Sequence, residues 1–366
     1  MQNHSSGTHN FWHNNRMRLR FLVACFLAAP LFGQNPTVQK SNTIANLRGV
    51  SMISNLVAWA SGSHGTYLRT VDAGVSWQTA QVPGAEAMDF RDVEAFSADL
   101  AYLLSAGPGD RARIYKTTDA GKNWNLQFTY RDPKGFFDCM AFWDPDHGIA
   151  LGDPVADHAG KLRFELIATD DGGKNWNPTS PDSLPPAIEG ESAFAASGTC
   201  ITVQGRTNVW FATGGKVARV FRSTDAGKTW TVAETPIVHG NESLGITSVA
   251  FRDPVHGVIA GGDYRNPEQS GPNLAFTNDG GLTWTLSPIS PQRYISAIAF
   301  AKPHSESGAI LLVGTSQSAY EDDVAKTPGQ KTTSQKTWDL NLNAVSVSPT
   351  GEAIAVGPKG LIVRIR

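Results

Sequence analysis

A small set of charged side chains in this chain could transfer protons or hold an anion, if the fold brings them together. The candidate acid and base groups are Glu189, Glu191 and Asp263. The candidate anion-binding groups are Arg91, Arg265 and Arg293. Two carboxyl groups beside one bond can act as acid and base, and guanidinium groups bind carboxylates or phosphates through paired hydrogen bonds. The alternative interpretation is that these are solvated loop residues.

Other kinds of catalytic site have no support in the sequence. There is no His-Glu-x-x-His pattern and no closely spaced cysteine pair, so no metal site is expected. The Gly-Pro-Gly at 107–109 and the Gly-Gly at 214–215 lack the strand–turn–helix context of a dinucleotide-binding turn. Serine-nucleophile catalysis has no Gly-x-Ser-x-Gly turn. No cofactor is therefore expected.

A repeated eight-residue segment, here called the box, indicates which elements must position these side chains. Its pattern is [Ser/Thr]-x-Asp-x-Gly-x-[Ser/Thr/Asn]-Trp. Five intact copies end at Trp77, Trp124, Trp176, Trp230 and Trp284, and a degraded sixth ends at Trp338. A fixed period of about 50 residues is typical of a propeller or another repeat array.

Each repeat contains four short apolar segments, which predicts one four-stranded propeller blade per repeat. The first strands are predicted at Cys139 to Trp143, Ala193 to Ala196, Ile246 to Phe251 and Ile295 to Phe300. Turns of sequence Asp-Pro-x-His-Gly follow at 144–148 and 253–257. Such a sheet cannot bury both faces alone, so the blades must stack on one another.

Counting the repeats predicts an all-β fold, a seven-bladed β-propeller, with six or eight blades as alternatives. Six boxes mark six blades. The seventh begins at Asn343 and ends at Ile365, where its own box should start. Its missing outer strand is predicted to come from residues 37–45, which would close the ring and remove an open sheet edge.

The boxes are predicted to be structural. Aspartate and hydroxyl side chains can accept backbone N–H bonds across a tight turn, glycine supplies a positive φ, and tryptophan buries a large flat surface between sheets. A catalytic carboxylate is not needed five times around a ring. The predicted structural residues are Asp72, Trp77, Asp119, Trp124, Asp171, Trp176, Asp225, Trp230, Asp279 and Trp284.

The functional face is predicted to be the one opposite the boxes, because the loops entering the first strands and leaving the second strands meet there. The predicted ligand-binding residues are Arg91, Asp92, Asp138, Asp153, Asp263, Tyr264, Arg265, Arg293 and Tyr294. Glu189, Glu191 and Asp263 are the catalytic candidates on the same face. The alternative is a set of salt bridges around a water-filled channel.

The amino terminus resembles a secretory signal peptide. Arg16, Arg18 and Arg20 precede the apolar run 21–29, and small residues near Gly33 suit cleavage. The run is too short for a stable membrane anchor. We therefore expect an exported protein, periplasmic or extracellular, with a signal peptide at 1–33 and one propeller at 34–366; Met17 is an alternative start.

Composition limits the classes of partner that can be expected. The formal net charge is −2 and there is no basic run, so nucleic acid is not an expected partner. Cys139 and Cys200 are the cysteines left after cleavage. Their apolar neighbours favour two small buried residues, and a disulfide between them is the alternative, since exported chains form such bonds.

The box pattern resembles the Asp box of bacterial-neuraminidase-type repeats, which occurs in sialidases, sortilin-like domains and the photosystem II stability/assembly factor family. The Ala-Phe-x-Asp-Pro-x-His-Gly segments at 141–148 and 250–257 are most similar to the assembly-factor type. The resemblance covers roughly residues 45 to 366. The sialidase set of three arginines, a Tyr–Glu pair and an acid aspartate does not map onto this chain.

From the residues and the resemblance together, we expect an exported, non-enzymatic propeller scaffold that binds a protein or carbohydrate partner through its loop face. The resemblance implies a protein similar to photosystem II assembly or stability factors. The alternative is a glycoside hydrolase or carbohydrate lyase of sialidase-like architecture, acting from the same mouth. A monomer is expected.

Overall fold

The computed structural model describes residues 36–180, 183–289, 292–301, 308–321 and 335–366. Within these ranges thirty β-strands form seven sheets, and no α-helix occurs. No helix in the described ranges is long and apolar enough to cross a membrane. The predicted signal peptide and positions 331 and 333 of the degraded box lie outside the described residues.

The first three blades each have four antiparallel strands, given from the channel outwards. Blade one is β2 (Leu47–Met52), β3 (Ala58–Gly62), β4 (Thr66–Thr70) and β5 (Gln78–Gln81). Blade two is β6 (Phe90–Ala95), β7 (Ala101–Ser105), β8 (Arg113–Thr117) and β9 (Asn125–Thr129). Blade three is β10 (Phe137–Phe142), β11 (Gly148–Ala156), β12 (Leu162–Thr169) and β13 (Asn177–Pro178).

The next three blades follow the same order. Blade four is β15 (Ile201–Gln204), β16 (Asn208–Ala212), β18 (Arg219–Ser223) and β19 (Thr231–Glu234). Blade five is β20 (Leu244–Phe251), β21 (Gly257–Asp263), β22 (Leu274–Thr277) and β23 (Thr285–Leu286), extended by the short β14 (Glu191–Ser192) and β17 (Gly214–Gly215). Blade six is β24 (Ala297–Phe300), β25 (Ile310–Val313), β26 (Ser318–Glu321) and β27 (Gln335–Trp338).

Blade seven joins the two ends of the described chain. It consists of β28 (Ala344–Val347), β29 (Ala353–Val356), β30 (Ile362–Ile365) and β1 (Thr37–Gln39). β1 pairs antiparallel with β30, with Thr37 opposite Arg364 and Gln39 opposite Ile362. The predicted seven-bladed propeller closed by an amino-terminal strand is confirmed, and β1 covers the edge that β30 would otherwise leave open.

The core lies between the blades, where large side chains from neighbouring sheets stack. Trp210 of blade four lies flat on Phe251 of blade five, with ring centroids 3.7 Å apart. Phe211, Phe221 and Trp230 form a second aromatic group, in which Phe211 and Phe221 stack at 4.4 Å. The predicted stacking of blades therefore rests on aromatic faces that no single sheet could bury.

Two expectations about blade four were wrong. Residues 193–196 form no strand, and the innermost strand of this blade is β15, which begins at Ile201.

The cysteines, expected to be separate buried residues, form the disulfide that was the alternative. It joins Cys139 of β10 to Cys200 just before β15, with Cα atoms 6.1 Å apart. Because it joins the inner strands of blades three and four, the bond ties two sheets that share no hydrogen-bond ladder.

We predict that Trp230→Ala lowers the free energy of unfolding by about 3 to 5 kcal/mol, because the ring is almost fully buried against Phe211, 5.2 Å away. Thermal or denaturant unfolding measures the loss. Val75→Ala is the control, since Val75 is 87% exposed, and its effect should stay within about 0.5 kcal/mol. An unchanged melting temperature for the tryptophan variant would show that this box does not hold blades together.

Candidate functional site

The five intact boxes share one hydrogen-bond arrangement. In the first, Asp72 accepts bonds from the Ser76 N–H (2.9 Å) and the Thr70 hydroxyl (2.8 Å) on one carboxylate oxygen, and from the Ser76 hydroxyl (2.6 Å) on the other. The Thr70 hydroxyl oxygen accepts the Gly74 N–H at 2.9 Å. Equivalent bonds form at Asp119, Asp171, Asp225 and Asp279. These carboxylates are therefore occupied within their own turns.

The box turn also bonds to the preceding blade. Its backbone has positive φ at Ala73 and Gly74, which turns carbonyl groups outwards. The hydroxyl of Tyr67 in blade one donates to the Gly121 carbonyl of the second box at 2.7 Å. The Trp210 indole N–H of blade four donates to the Gly280 carbonyl of the fifth box at 2.7 Å. The box thus links neighbouring blades on the face where it lies.

Tryptophan burial differs a little among the boxes. Trp77, Trp176, Trp230 and Trp284 are buried, and Trp124 is half-buried. The indole N–H of Trp77 donates to the Gln39 side chain at 3.0 Å, and this bond fastens β1 to the first box.

The opposite face has a cavity of about 620 Å³ at the mouth of the central channel, here called the mouth cavity. β-Bulges place charged side chains along it. The strand pairing skips Arg48 in β2, Arg91 in β6, Asp138 in β10 and Asp153 in β11, and all four line the cavity. A bulge leaves one residue unpaired and re-aims its side chain. The same irregularity in successive blades therefore builds the site.

An irregular segment, residues 193–200, crosses the channel beneath this cavity and is here called the strap. The guanidinium of Arg91 donates to the Ala195 carbonyl at 3.0 Å, and that of Arg48 donates to the Ala196 carbonyl at 3.4 Å. The Ala193 N–H donates to the Asp153 carboxylate at 2.9 Å. Backbone groups of the strap thus hold side chains from three different blades.

The strap is also tied down on its far side. The Ser197 hydroxyl donates to the Ser296 carbonyl at 3.0 Å, and the hydroxyls of Thr199 and Ser248 lie 2.7 Å apart. The disulfide at Cys200 anchors its end. The strap separates the mouth cavity from a smaller cavity of about 360 Å³ lower in the channel.

Two arginines lie together at the mouth. Arg91 forms an ion pair with Asp89, with Nε and Oδ2 2.9 Å apart. Burial and the neighbouring charge of Arg91 lower the pKa of Arg48. The buried Nε of Arg48 has no hydrogen-bond partner.

A pair of carboxyl groups faces the same cavity. Burial, reinforced by the charge of Asp153, raises the pKa of Asp138 well above its ordinary value. Burial raises the pKa of Asp153 to about 6. One carboxyl oxygen of Asp138 is buried without a hydrogen-bond partner. Both groups, at neighbouring positions on one blade, therefore favour the protonated form more than an ordinary aspartate does.

The structure brings five of the nine predicted ligand-binding residues to the mouth cavity: Arg91, Asp138, Asp153, Tyr264 and Tyr294. Arg48, Phe136 and Phe194 also line it and were not predicted. The sequence could have predicted Arg48, because Leu-Arg-Gly-Val at 47–50 matches Phe-Arg-Asp-Val at 90–93 and places Arg48 at the position equivalent to Arg91.

The other four predicted ligand-binding residues lie elsewhere. Arg265 and Arg293 form exposed ion pairs with Glu242 (2.5 Å) and Glu268 (2.9 Å) on the rim. Asp263 accepts the Arg265 N–H at 2.9 Å, within its own turn. Asp92 lies in the lower cavity, below the strap.

The catalytic candidates on the entering loop of blade four do not reach the mouth cavity. Glu191 is buried in an ion pair with Arg219 and accepts the Thr213 hydroxyl at 2.6 Å. Glu189 is exposed and lines none of the cavities described above. The carboxyl groups placed for chemistry at the mouth are instead Asp138 and Asp153.

The lower cavity has a second acidic pair, formed by Asp92 and Glu94. Asp92 accepts the Met140 N–H at 2.8 Å. Burial and the nearby Glu94 raise the pKa of Asp92, and burial raises the pKa of Glu94 to about 8. Across the described ranges, no group of three or more His, Cys, Asp or Glu side chains is placed to hold a metal ion.

No protein-family model and no curated protein matches the chain. Solved propellers are similar to it. YCF48, a photosystem II assembly factor, from Cyanidioschyzon merolae matches with a TM-score of 0.60 and 17% identity, over 90% of this chain and 98% of that one. The WD40 β-propeller domain of Doa1 matches with a TM-score of 0.58 and 10% identity, over 90% and 95%. These likenesses show the fold alone.

A structure of YCF48 bound to a D1 peptide also matches, with a TM-score of 0.42 and 16% identity, over 92% of this chain and 98% of that chain.

The pKa shifts predict a stability maximum in mild acid. The pKa values of Glu94 and Asp153 are raised in the folded protein, so their contribution to the free energy of unfolding is fully present below about pH 4. It is lost as the pH rises through their pKa values of about 8 and about 6 in the folded protein. The pKa of about 2 for Asp171 has the opposite effect, since its contribution is lost as the pH falls from about 4 towards 2.

We therefore expect Glu94→Gln to raise the melting temperature by several degrees at about pH 9 and to change it little at about pH 5. Calorimetry across this range measures the difference. Glu242→Gln, at a side chain 74% exposed, should not show the pH-dependent gain. Equal shifts at both pH values would contradict the raised pKa of Glu94.

Proposed function

We propose that this chain is an exported, non-enzymatic propeller scaffold that binds a protein partner through its mouth face. The observation that carries the proposal is the strap, which crosses and blocks the channel below the mouth cavity. Because the channel is closed there, the rim of the mouth is the surface that a macromolecular partner can reach.

The rim of the mouth has the composition of a binding surface. Tyr264 is 43% exposed and lies edge-on to Phe194, with ring centroids 5.8 Å apart. The ion pair of Arg265 with Glu242 is exposed beside it. Tyrosine and arginine are enriched among residues that dominate binding energy at protein interfaces. The box face, by contrast, uses its polar groups within and between blades.

Export is part of the proposal. The sequence pattern at 1–33 is that of a signal peptide, and the disulfide between Cys139 and Cys200 is of the kind that persists in oxidising compartments. A role as an assembly or stability aid, with a carbohydrate as a second class of partner, rests on the resemblance of the box repeats alone.

A photo-crosslinking side chain in place of Tyr264 tests the proposal in the native host. We expect a discrete protein adduct in the exported fraction, because this residue lies on the rim. The matched control replaces Leu282, which is 54% exposed on the fifth box, and should give no adduct. Adducts of equal yield from both positions, or none from Tyr264, would argue against a partner at the mouth.

The second candidate function is a glycoside hydrolase or carbohydrate lyase, which the carboxyl pair of Asp138 and Asp153 favours. Two acids whose pKa values differ can divide the acid and base roles, and both of these groups have raised pKa values. We expect no turnover of a panel of aryl glycosides and uronate-containing polysaccharides by the purified chain. Turnover that Asp138→Asn and Asp153→Asn each abolish, while Glu189→Gln leaves it intact, would establish the enzyme instead.

A further inference from the structure

The mouth cavity contains two neighbouring arginines whose hydrogen-bond donors the protein only partly satisfies. Arg48 and Arg91 are close enough for one charge to disfavour the other. Asp89 is the carboxylate that pairs directly with Arg91. Nε of Arg48, although buried, has no hydrogen-bond partner. Buried donors without partners are rare and call for an explanation.

The strap holds both guanidinium groups in place before any ligand arrives. Arg48 uses one nitrogen on the Ala196 carbonyl of the strap. Arg91 uses Nη1 on the Ala195 carbonyl and Nε on Asp89, which leaves the N–H groups of its Nη2 for the cavity. A planar guanidinium has five N–H donors in a fixed arrangement that suits a carboxylate. Side chains locked in this way lose little further freedom when they bind an anion.

Three aromatic side chains of the lining are suited to a flat apolar body. Phe136, Phe194 and Tyr264 line the cavity together with Ala193. Several polar residues of the lining are already bonded within the protein, as the Thr247 hydroxyl is to the Ile295 carbonyl at 2.5 Å. The volume of about 620 Å³ lies within the usual range for small-molecule sites.

We propose that the mouth cavity binds a small carboxylic acid with a flat apolar or aromatic body, its carboxylate on Arg48 and Arg91 and its body against Phe136, Phe194 and Tyr264. Such a molecule supplies the acceptor that Nε of Arg48 lacks. The site lies below the rim and does not depend on the proposed partner, so it is testable on the isolated chain.

Binding should strengthen as the pH falls towards 5, because of the charges that face the anion. The cations are Arg48 and Arg91. The acids around them are Asp89, Asp138, Asp153 and the rim residue Glu242, and the phenols are Tyr264 and Tyr294. Asp153 loses its charge below about pH 6, which removes a repulsion of the carboxylate while the arginines stay charged.

Titration calorimetry with three matched probes tests the proposal: benzoate, the uncharged benzamide, and acetate, which lacks the ring. We expect benzoate to bind with a Kd of about 1 mM or better. Benzamide and acetate should each bind about tenfold more weakly, because one lacks the charge and the other lacks the apolar body. Benzoate affinity should be higher at about pH 5 than at about pH 7.5.

In variants that remain folded, Arg48→Gln and Arg91→Gln should each weaken benzoate binding by about tenfold or more. Arg366→Gln, which removes an arginine whose side chain is 58% exposed and lies outside the mouth cavity, should leave it unchanged. If the inner variants fail to fold, Tyr264→Ala serves instead, since that side chain is partly exposed. Equal binding of benzoate and benzamide, equal loss with Arg366→Gln, or no benzoate binding at about pH 5 would each overturn the site.

Discussion

Contact between neighbouring blades is the constraint on which the rest of this structure depends. Each blade is a small sheet with two apolar faces, and neither face is covered until the next blade stacks on it. The box answers this need. Asp72 and its equivalents complete the bonds of a tight turn, and the turn then offers carbonyl groups to the preceding blade. Aromatic rings such as Trp210 and Phe251 fill the space between.

The two faces of the ring therefore use their polar side chains differently. On the box face, the repeated polar side chains are occupied by the turn and by the next blade. On the mouth face, bulges in β2, β6 and β10 interrupt the ladders and turn three charged residues towards the channel. The repeated blades thus place different side chains at equivalent positions around the channel. These side chains can vary without disturbing the packing between blades.

The strap makes the mouth more than a gap between loops. Backbone groups of the strap hold Arg91 and Asp153. The strap also closes the channel between the mouth cavity and the lower cavity, where Asp92 and Glu94 lie. Buried carboxyl groups on both sides of it have raised pKa values, so the channel favours protonated acids. The resulting surface, with a shallow cavity beneath an aromatic and charged rim, is suited to binding.

The sequence by itself determined the number of blades, the closure by residues near the amino terminus and the positions of the boxes. These features depend on local turn chemistry and on the fixed period of the repeat, and both are visible in the sequence. It also predicted which loops meet on the face opposite the boxes. Among the individual residues, Arg91, Asp138 and Asp153 were found because they stand at the start of predicted strands or just after them.

Only the tertiary structure decided which charged residues meet. Arg91 lies within β6 at a bulge that turns it inwards. Arg265 and Arg293 lie outside the strands, after β21 and before β24, and form ion pairs on the rim. Residues 193–196 have the apolar composition of a strand but cross the channel, since the disulfide at Cys200 and bonds from other blades hold them there. Such contacts join residues about 100 positions apart, a separation at which local sequence patterns carry no information.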